Sequence, residues 1–228
     1  MKDRHTAIVL SAGRGTRMQT EKPKQYLEVK GKPIIVYTLE AFQNCSFIDD
    51  IILVCGKEDV EYCRREIAEK YHLDKISKIV PGGKERYHSV FKGLEEIEDT
   101  DYVYIHDGAR PFVTEEILDR IRRAVEEHHA AIAGMPVKDT IKIADEDGFA
   151  RYTPKRSEVW QIQTPQAFDF TLIREAYRKL LEDPNAEKLG ITDDAMVVET
   201  MTEQKVYLVE ASYSNIKITT PEDLKWFL

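Results

Sequence analysis

Short apolar runs at 6–10, 51–55, 76–80, 102–106 and 131–135 alternate with longer amphipathic segments, and this alternation constrains the fold more than any other property of the chain. Runs that are apolar throughout, rather than at every second position, belong to strands buried on both faces. The segments between them, 33–43, 57–70, 87–97 and 114–128, carry apolar residues at helical spacing. The last shows the pattern best: Thr114 is placed to cap, Glu115 and Glu116 fall in the first turn, and Ile117, Leu118, Ile121, Ala124 and Val125 share one face. Strands alternating with helices predict an α/β fold: a Rossmann-like, mostly parallel twisted sheet with helices on both faces.

The rhythm breaks between 137 and 161, where extended pieces at 140–144 and 149–153 flank an Asp-Glu-Asp-Gly turn ending at Gly148. That is a hairpin signal, and it predicts a β-arm protruding from the sheet, a shape suited to pairing with a second subunit. The chain then returns with helices at 171–181 and 193–200 and a strand at 205–208. A closing helix starts at Thr220, where an N-cap, Pro221 and the acidic pair Glu222 and Asp223 stand in order. No repeat or linker interrupts the chain, which predicts one domain over 1–228 with 137–161 as a dimerisation arm.

With 228 residues, 42% of them hydrophobic, the chain can fill one well-packed core. No apolar stretch approaches the roughly 20 residues a bilayer crossing needs, and the N-terminus lacks the apolar region of a signal peptide, so a cytoplasmic protein without membrane contact is expected. Cys45, Cys55 and Cys63 are odd in number, lack C-x-x-C spacing and sit in or beside apolar segments, as buried free thiols do. The six histidines show no metal-ligand spacing, and His106 reads as packed within a strand. A net charge of −8 excludes a general nucleic-acid binder and requires that cations facing an anionic ligand be locally concentrated.

They are concentrated directly after the first apolar run. Gly13 and Gly15 alternate with Arg14 and are followed by Arg17, Lys22 and Lys24. Glycines let successive backbone N–H groups converge on one anion while the cationic side chains reach its oxygens, which makes a phosphate cradle suited to a nucleoside triphosphate. Two common nucleotide motifs are excluded. Nothing fits the P-loop pattern G-x-x-x-x-G-K-[ST], and a dinucleotide G-x-G-x-x-G would meet Met18 where close helix packing wants a small residue.

The block Ser-Ala-Gly-Arg-Gly-Thr-Arg-Met at 11–18, followed by Lys-Pro-Lys-Gln-Tyr at 22–26, resembles the first motif of the sugar-nucleotide pyrophosphorylase-like nucleotidyltransferases. Within them it is most similar to the 2-C-methyl-D-erythritol 4-phosphate cytidylyltransferase family. The resemblance continues in order through 81–90, 106–111, 137–142, 163–168, 191–195 and 214–219. Several of these blocks follow predicted strands, and ligands of open parallel sheets collect at strand carboxyl ends, so topology also predicts their convergence.

The resemblance implies transfer of a cytidylyl group from CTP to a sugar-alcohol phosphate, with release of pyrophosphate and a requirement for Mg²⁺. It implies that Arg17, Lys24 and Lys217 are the catalytic cations that neutralise the α-phosphate and the departing pyrophosphate. Ser11, Ala12, Gly13, Gly15, Gly82, Gly83 and Ser89 then hold the nucleotide. At position 84 many relatives carry an acidic or amide residue where this chain has Lys84. Asp107, Gly108, Thr164 and Thr192 are implied to bind the acceptor's hydroxyls, and Arg110, Thr140 and Arg156 its phosphate. Thr140 and Arg156 would be delivered by the arm of the other subunit in a homodimer. The sister enzyme ribitol-5-phosphate cytidylyltransferase shares nearly all these blocks, but segments 155–160 and 214–219 favour the methylerythritol branch. A noncatalytic nucleotide sensor would have lost a catalytic cation, whereas Arg17, Lys24 and Lys217 are all present. A protein-interaction module using only the arm would leave the cradle unexplained.

Overall fold

The computed structural model describes residues 3–13 and 23–227. In chain order it comprises β1 (His5–Ser11), β2 (Glu28–Val29), β3 (Lys32–Pro33), α1 (Ile34–Asn44), β4 (Asp50–Cys55) and α2 (Val60–Tyr62). There follow β5 (Ile76–Pro81), α3 (Arg86–Glu95), β6 (Tyr102–Asp107), α4 (Glu115–His128), β7 (Ala130–Pro136), β8 (Ile143–Ala144) and β9 (Ala150–Tyr152). The last elements are β10 (Trp160–Asp169), α5 (Phe170–Glu182), α6 (Asp194–Met201) and β11 (Tyr207–Glu210).

Seven strands form one sheet in the order β11-β7-β10-β6-β1-β4-β5. All neighbours are parallel except β10, which runs antiparallel to both β6 and β7. Successive strand side chains point to opposite faces. Ala7, Val9, Ile51, Leu53 and Tyr104 therefore enter one core with α1 and α4, while Ile8, Ile52, Val54, Val103 and Ile105 enter the other with α3, α5 and α6. Burial on both sides is why these strands read as continuous apolar runs. The expected α/β architecture is present.

α4 forms as its sequence dictates. The Thr114 hydroxyl accepts from Ile117 N, five apolar side chains face the core, and His129 ends the helix in the left-handed region at φ 65°. Segment 57–70 is less regular than expected, passing from a 3₁₀ turn through α2 into a π-helix at Cys63–Glu69. The closing helix at Pro221–Phe227 is 3₁₀ rather than α, with the Asp223 carboxylate accepting from Thr219 and Thr220 backbone N–H groups at its start.

β10 was not anticipated from the sequence. Trp-Gln-Ile-Gln-Thr-Pro-Gln carries polar residues and a proline where a central strand is expected to be apolar. Its pairing with β7 shifts register between Ile162 and Gln166, so Pro165 lies in the irregularity rather than within the regular ladder. The hairpin is present as β8 and β9, its turn closed by Asp145 Oδ1, which accepts from the backbone of Asp147 and Phe149. Phe149 at its turn and Tyr152 on β9 are 73% and 58% exposed. The three cysteines are buried and free.

Starting from β1, the chain builds outward through β4 to β5 and then crosses to β6 on the other side of β1. The sheet's switch point therefore lies between β1 and β6, and the crevice beyond their carboxyl ends is where a ligand would bind.

Candidate active site

A cleft of about 350 Å³ opens at that point, and Ser11 and Asp107, the last residues of β1 and β6, lie on its wall. Around them the cleft collects Ala12, Gly13, Lys24, Gly83, Ser89 and Lys217 from segments distant in sequence. Its ionised lining includes Lys24, Lys84, Arg86 and Lys217 against Glu85 and Asp107, a local excess of positive charge in a chain of net charge −8.

The segment that re-enters at Pro23 is fastened to the end of β1. Gln25 Nε2 donates to Ser11 O at 2.6 Å and to Gly13 O at 3.3 Å, and the Ser11 hydroxyl donates to Tyr26 Oη at 3.2 Å. Lys24 Nζ donates to Ile218 O at 2.8 Å, tying this segment to the one that carries Lys217. Gly15 and Arg17 lie outside the described residues.

Beyond β5, Gly82 allows a close approach. A Cβ on it would stand 2.5 Å from Ala12 Cβ and 2.8 Å from Ser89 Oγ. The Ser89 hydroxyl accepts from Gly83 N at 3.0 Å and donates to Glu85 O at 3.2 Å, so it braces the loop backbone. Lys84 makes an exposed ion pair with Glu187 at 3.2 Å.

Asp107 is the electrostatic centre of the cleft. Lys217 Nζ is 2.8 Å from Oδ2, Arg110 Nε 3.7 Å from the same oxygen, and Arg86 Nε 3.7 Å from Oδ1. Burial alone would raise the carboxyl's pKa, but Arg86, Lys217 and Arg110 together hold it well below the usual carboxylate range. Gly108 N donates to Leu10 O at 2.8 Å, and a Cβ on Gly108 would stand 2.9 Å from that oxygen.

Behind Asp107 a hydrogen-bonded chain fixes its backbone. Asp107 N donates to Thr164 Oγ1 at 3.0 Å, and His106 Nδ1 lies 3.1 Å from the same hydroxyl. His106 Nε2 lies 3.1 Å from Arg110 O, which can only accept. That assigns the proton to Nε2 and leaves Nδ1 to accept from Thr164. Burial pulls the imidazole pKa down to about 4, so the ring is neutral at physiological pH. Arg110 reaches across to Asn215 O at 2.9 Å, and Asn215 Nδ2 donates to Thr164 O at 2.9 Å.

Of the expected residues, Gly82, Gly108, Arg110 and Thr164 lie behind the cleft lining, next to residues that form it, whereas Thr140, Arg156 and Thr192 are away from it. Thr140 and Arg156 are exposed on the arm, where Arg156 donates to Lys138 O at 3.3 Å, and Thr192 is exposed before α6 with its hydroxyl on Met196 Sδ at 3.9 Å. Arg86, by contrast, lines the cleft, and in the sequence nothing distinguishes it from the rest of the block 81–90. Its Nη1 and Nη2 donate to Asp194 Oδ1 and Oδ2 at 2.8 and 2.6 Å. Desolvation opposes its charge, but Asp194 outweighs it and the guanidinium is held firmly protonated. Asp193, which accepts from Met196 N at 2.9 Å, is the N-cap of α6, whereas Asp194 is fully buried. A buried Asp at the start of a helix requires a cation, but nothing in sequence singles out one 108 residues away.

A positively charged cleft at the switch point of a mostly parallel sheet, on a chain without a P-loop motif, fits an α/β nucleotidyltransferase. The family model described as 2-C-methyl-D-erythritol 4-phosphate cytidylyltransferase matches residues 5–226, and the chain belongs to that family. Its activity is cytidylyl transfer from CTP to 2-C-methyl-D-erythritol 4-phosphate in isoprenoid biosynthesis, which decides against the ribitol phosphate and sensor alternatives. A relative of that name from Lachnospira eligens is 51% identical over 97% of this chain and 96% of its own, and one from Clostridium novyi is 47% identical over 97% and 94%. The crystal structure of 4-diphosphocytidyl-2C-methyl-D-erythritol synthase from Anaerococcus prevotii superposes with a TM-score of 0.86 at 37% identity, covering 99% of this chain and 95% of that one. Among the described residues no helix is long and apolar enough to cross a membrane.

Proposed function

We propose that the cleft carries out this transfer with three groups of residues in separate roles. Ser11, Ala12, Gly13, Gly82, Gly83 and Ser89 hold CTP, together with Gly15 in the sequence block of the cradle. Asp107, Gly108, Arg110 and Thr164 form the acceptor subsite, which Thr192, outside the cleft in this structure, joins when the acceptor binds. Lys24 and Lys217, with Arg17 of the same block as the cradle, stabilise the charge that grows on the α-phosphoryl oxygens and on leaving pyrophosphate. The observation that carries the reading is the meeting of Lys217 with Asp107 at 2.8 Å on one wall of the cleft that holds Lys24 and the cradle.

In this mechanism a phosphate oxygen of the acceptor attacks the α-phosphorus in line and pyrophosphate leaves. The nucleophile is already an anion, so no general base is needed, and the buried, neutral His106 is assigned none. Among the described residues no group of three His, Cys, Asp or Glu side chains could hold a metal ion. Asp107 is surrounded by cations, and Glu85 is engaged in the capping box of α3. Such a lining suits Mg²⁺ that enters as part of the nucleotide complex, held by triphosphate oxygens and water. Arg110, whose Nε lies 3.7 Å from Asp107 Oδ2, sets a cation beside the acceptor carboxylate where the acceptor phosphate would be drawn. The exposed arm is read as the dimer contact that delivers Thr140 and Arg156 to the neighbouring cleft, in a cytoplasmic homodimer. Pyrophosphate release with CTP and Mg²⁺, comparing methylerythritol phosphate with ribitol 5-phosphate at equal concentrations, tests the reading. Preference for the first is expected, and preference for the second, or release with neither, refutes it.

A further inference from the structure

Asp107 presents two unequal oxygens. Oδ2 receives Lys217 at 2.8 Å, whereas Oδ1 faces Arg86 Nε at 3.7 Å, too far for a hydrogen bond. Arg86 is the first residue of α3, directly after the nucleotide loop, and lies between that loop and the acceptor carboxylate. What keeps it from closing on Asp107 is its other end. Both terminal nitrogens are forked onto Asp194, and bidentate pairing fixes a guanidinium in plane and position.

Asp194 is itself held from two further directions. Tyr177 Oη donates to Oδ1 at 2.5 Å, and Gln166 Oε1 accepts from the backbone of Asp194 and Ala195 at 3.0 and 2.9 Å. Gln166 lies on β10 two residues after Thr164, whose hydroxyl accepts from Asp107 N. Both carboxylates are therefore referenced to the same strand.

We infer that Asp194 is a positioning residue of the acceptor subsite: by holding Arg86 back, it leaves Asp107 Oδ1 open to accept a hydrogen bond from an acceptor hydroxyl. Arg86 contributes charge to Asp107 without occupying the lone pairs that the hydroxyl needs. Release of Arg86 from Asp194 lets it close the 3.7 Å gap and compete with the acceptor. The inference rests on the reading of Asp107 as the group that meets the acceptor hydroxyls.

The test is steady-state kinetics on the full chain, with CTP affinity measured separately by calorimetry. Asp194→Asn weakens the fork while retaining the side chain's shape. It is expected to raise the acceptor KM about tenfold, the scale of one lost hydrogen bond to a charged group, while the CTP Kd changes less than twofold. Adding Arg86→Gln to Asp194→Asn removes the cation that would block Oδ1 and is expected to return the acceptor KM to within threefold of wild type. A purely structural role predicts the reverse, since a second substitution in the same network would not repair the first. An acceptor KM unchanged in Asp194→Asn, a CTP Kd that rises in parallel, or a double variant no better than the single overturns the inference. Should Asp194→Asn fail to fold, Tyr177→Phe loosens Asp194 by one hydrogen bond and is expected to raise the acceptor KM about threefold; no change there is equally fatal. An Asp107→Ala protein with wild-type acceptor KM would instead remove the underlying reading of Asp107.

Discussion

The neutral imidazole of His106 makes stability depend on pH in a calculable way. Its pKa is lowered from an ordinary 6.5 to about 4 by burial, and the chain Asp107 N to Thr164 Oγ1 to Nδ1, with Nε2 on Arg110 O, is built for the uncharged ring. A histidine whose folded pKa is depressed binds more protons unfolded, so stability is complete above about pH 6.5 and is lost as pH falls toward 4. At pH 5.0 the linkage ratio for these two values is about 30, which costs about 2 kcal/mol relative to pH 7.5. Asp107, with its still lower folded value, acts only below about pH 4, outside this window. His5, also lowered by burial, acts in the same direction as His106. The perturbation is therefore His106→Gln, compared with wild type by urea denaturation at pH 7.5 and 5.0 and fixed protein concentration, so that His5 cancels. Glutamine can donate to Arg110 O and accept from Thr164, so the variant should fold, with a loss of about 1–2 kcal/mol at pH 7.5. The wild type should lose about 2 kcal/mol more than the variant between the two pH values. Equal losses in both proteins, or an imidazole titrating near 6.5 in the folded wild type by NMR, would refute the argument.

Three further outcomes are expected. Gly82→Ala places a Cβ 2.5 Å from Ala12 Cβ and 2.8 Å from Ser89 Oγ, so the cradle must spread; the CTP Kd should rise about tenfold or more by calorimetry, with a loss of stability of about 1–3 kcal/mol. Lys217→Ala should lower kcat by about 10²–10³-fold in a pyrophosphate-release assay, the loss typical of one donor to developing oxyanion charge, and a fall in acceptor affinity with kcat intact would reassign it to binding. Lys24→Ala and Arg156→Ala, each inactive alone, should regain activity when mixed and allowed to exchange subunits; no recovery would rule out an arm-shared site.

What could be read in advance depended on how local the determining interactions are. α4 was legible because cap, first-turn charge and apolar face lie within its own fourteen residues and the adjoining Thr114. The four buried parallel strands β1, β4, β6 and β7 were legible because burial on both faces writes itself as a continuous apolar run. β10 was hidden because its polar residues are spent on long-range partners: Gln163 on Ser212 O, Thr164 on Asp107 N, and Gln166 on the N-terminus of α6. A sequence window sees three hydrophilic side chains beside a proline and reads a loop. The same reason hid Asp194, which has the residue type and position of an exposed first-turn acid and differs only in its partners Arg86 and Tyr177. Family blocks supplied the lysines and glycines of the cleft because their spacing is local. The relation of Arg86 to Asp107 joins two blocks and belongs to neither, so it is visible only once the fold has brought the loop after β5 against the end of β6.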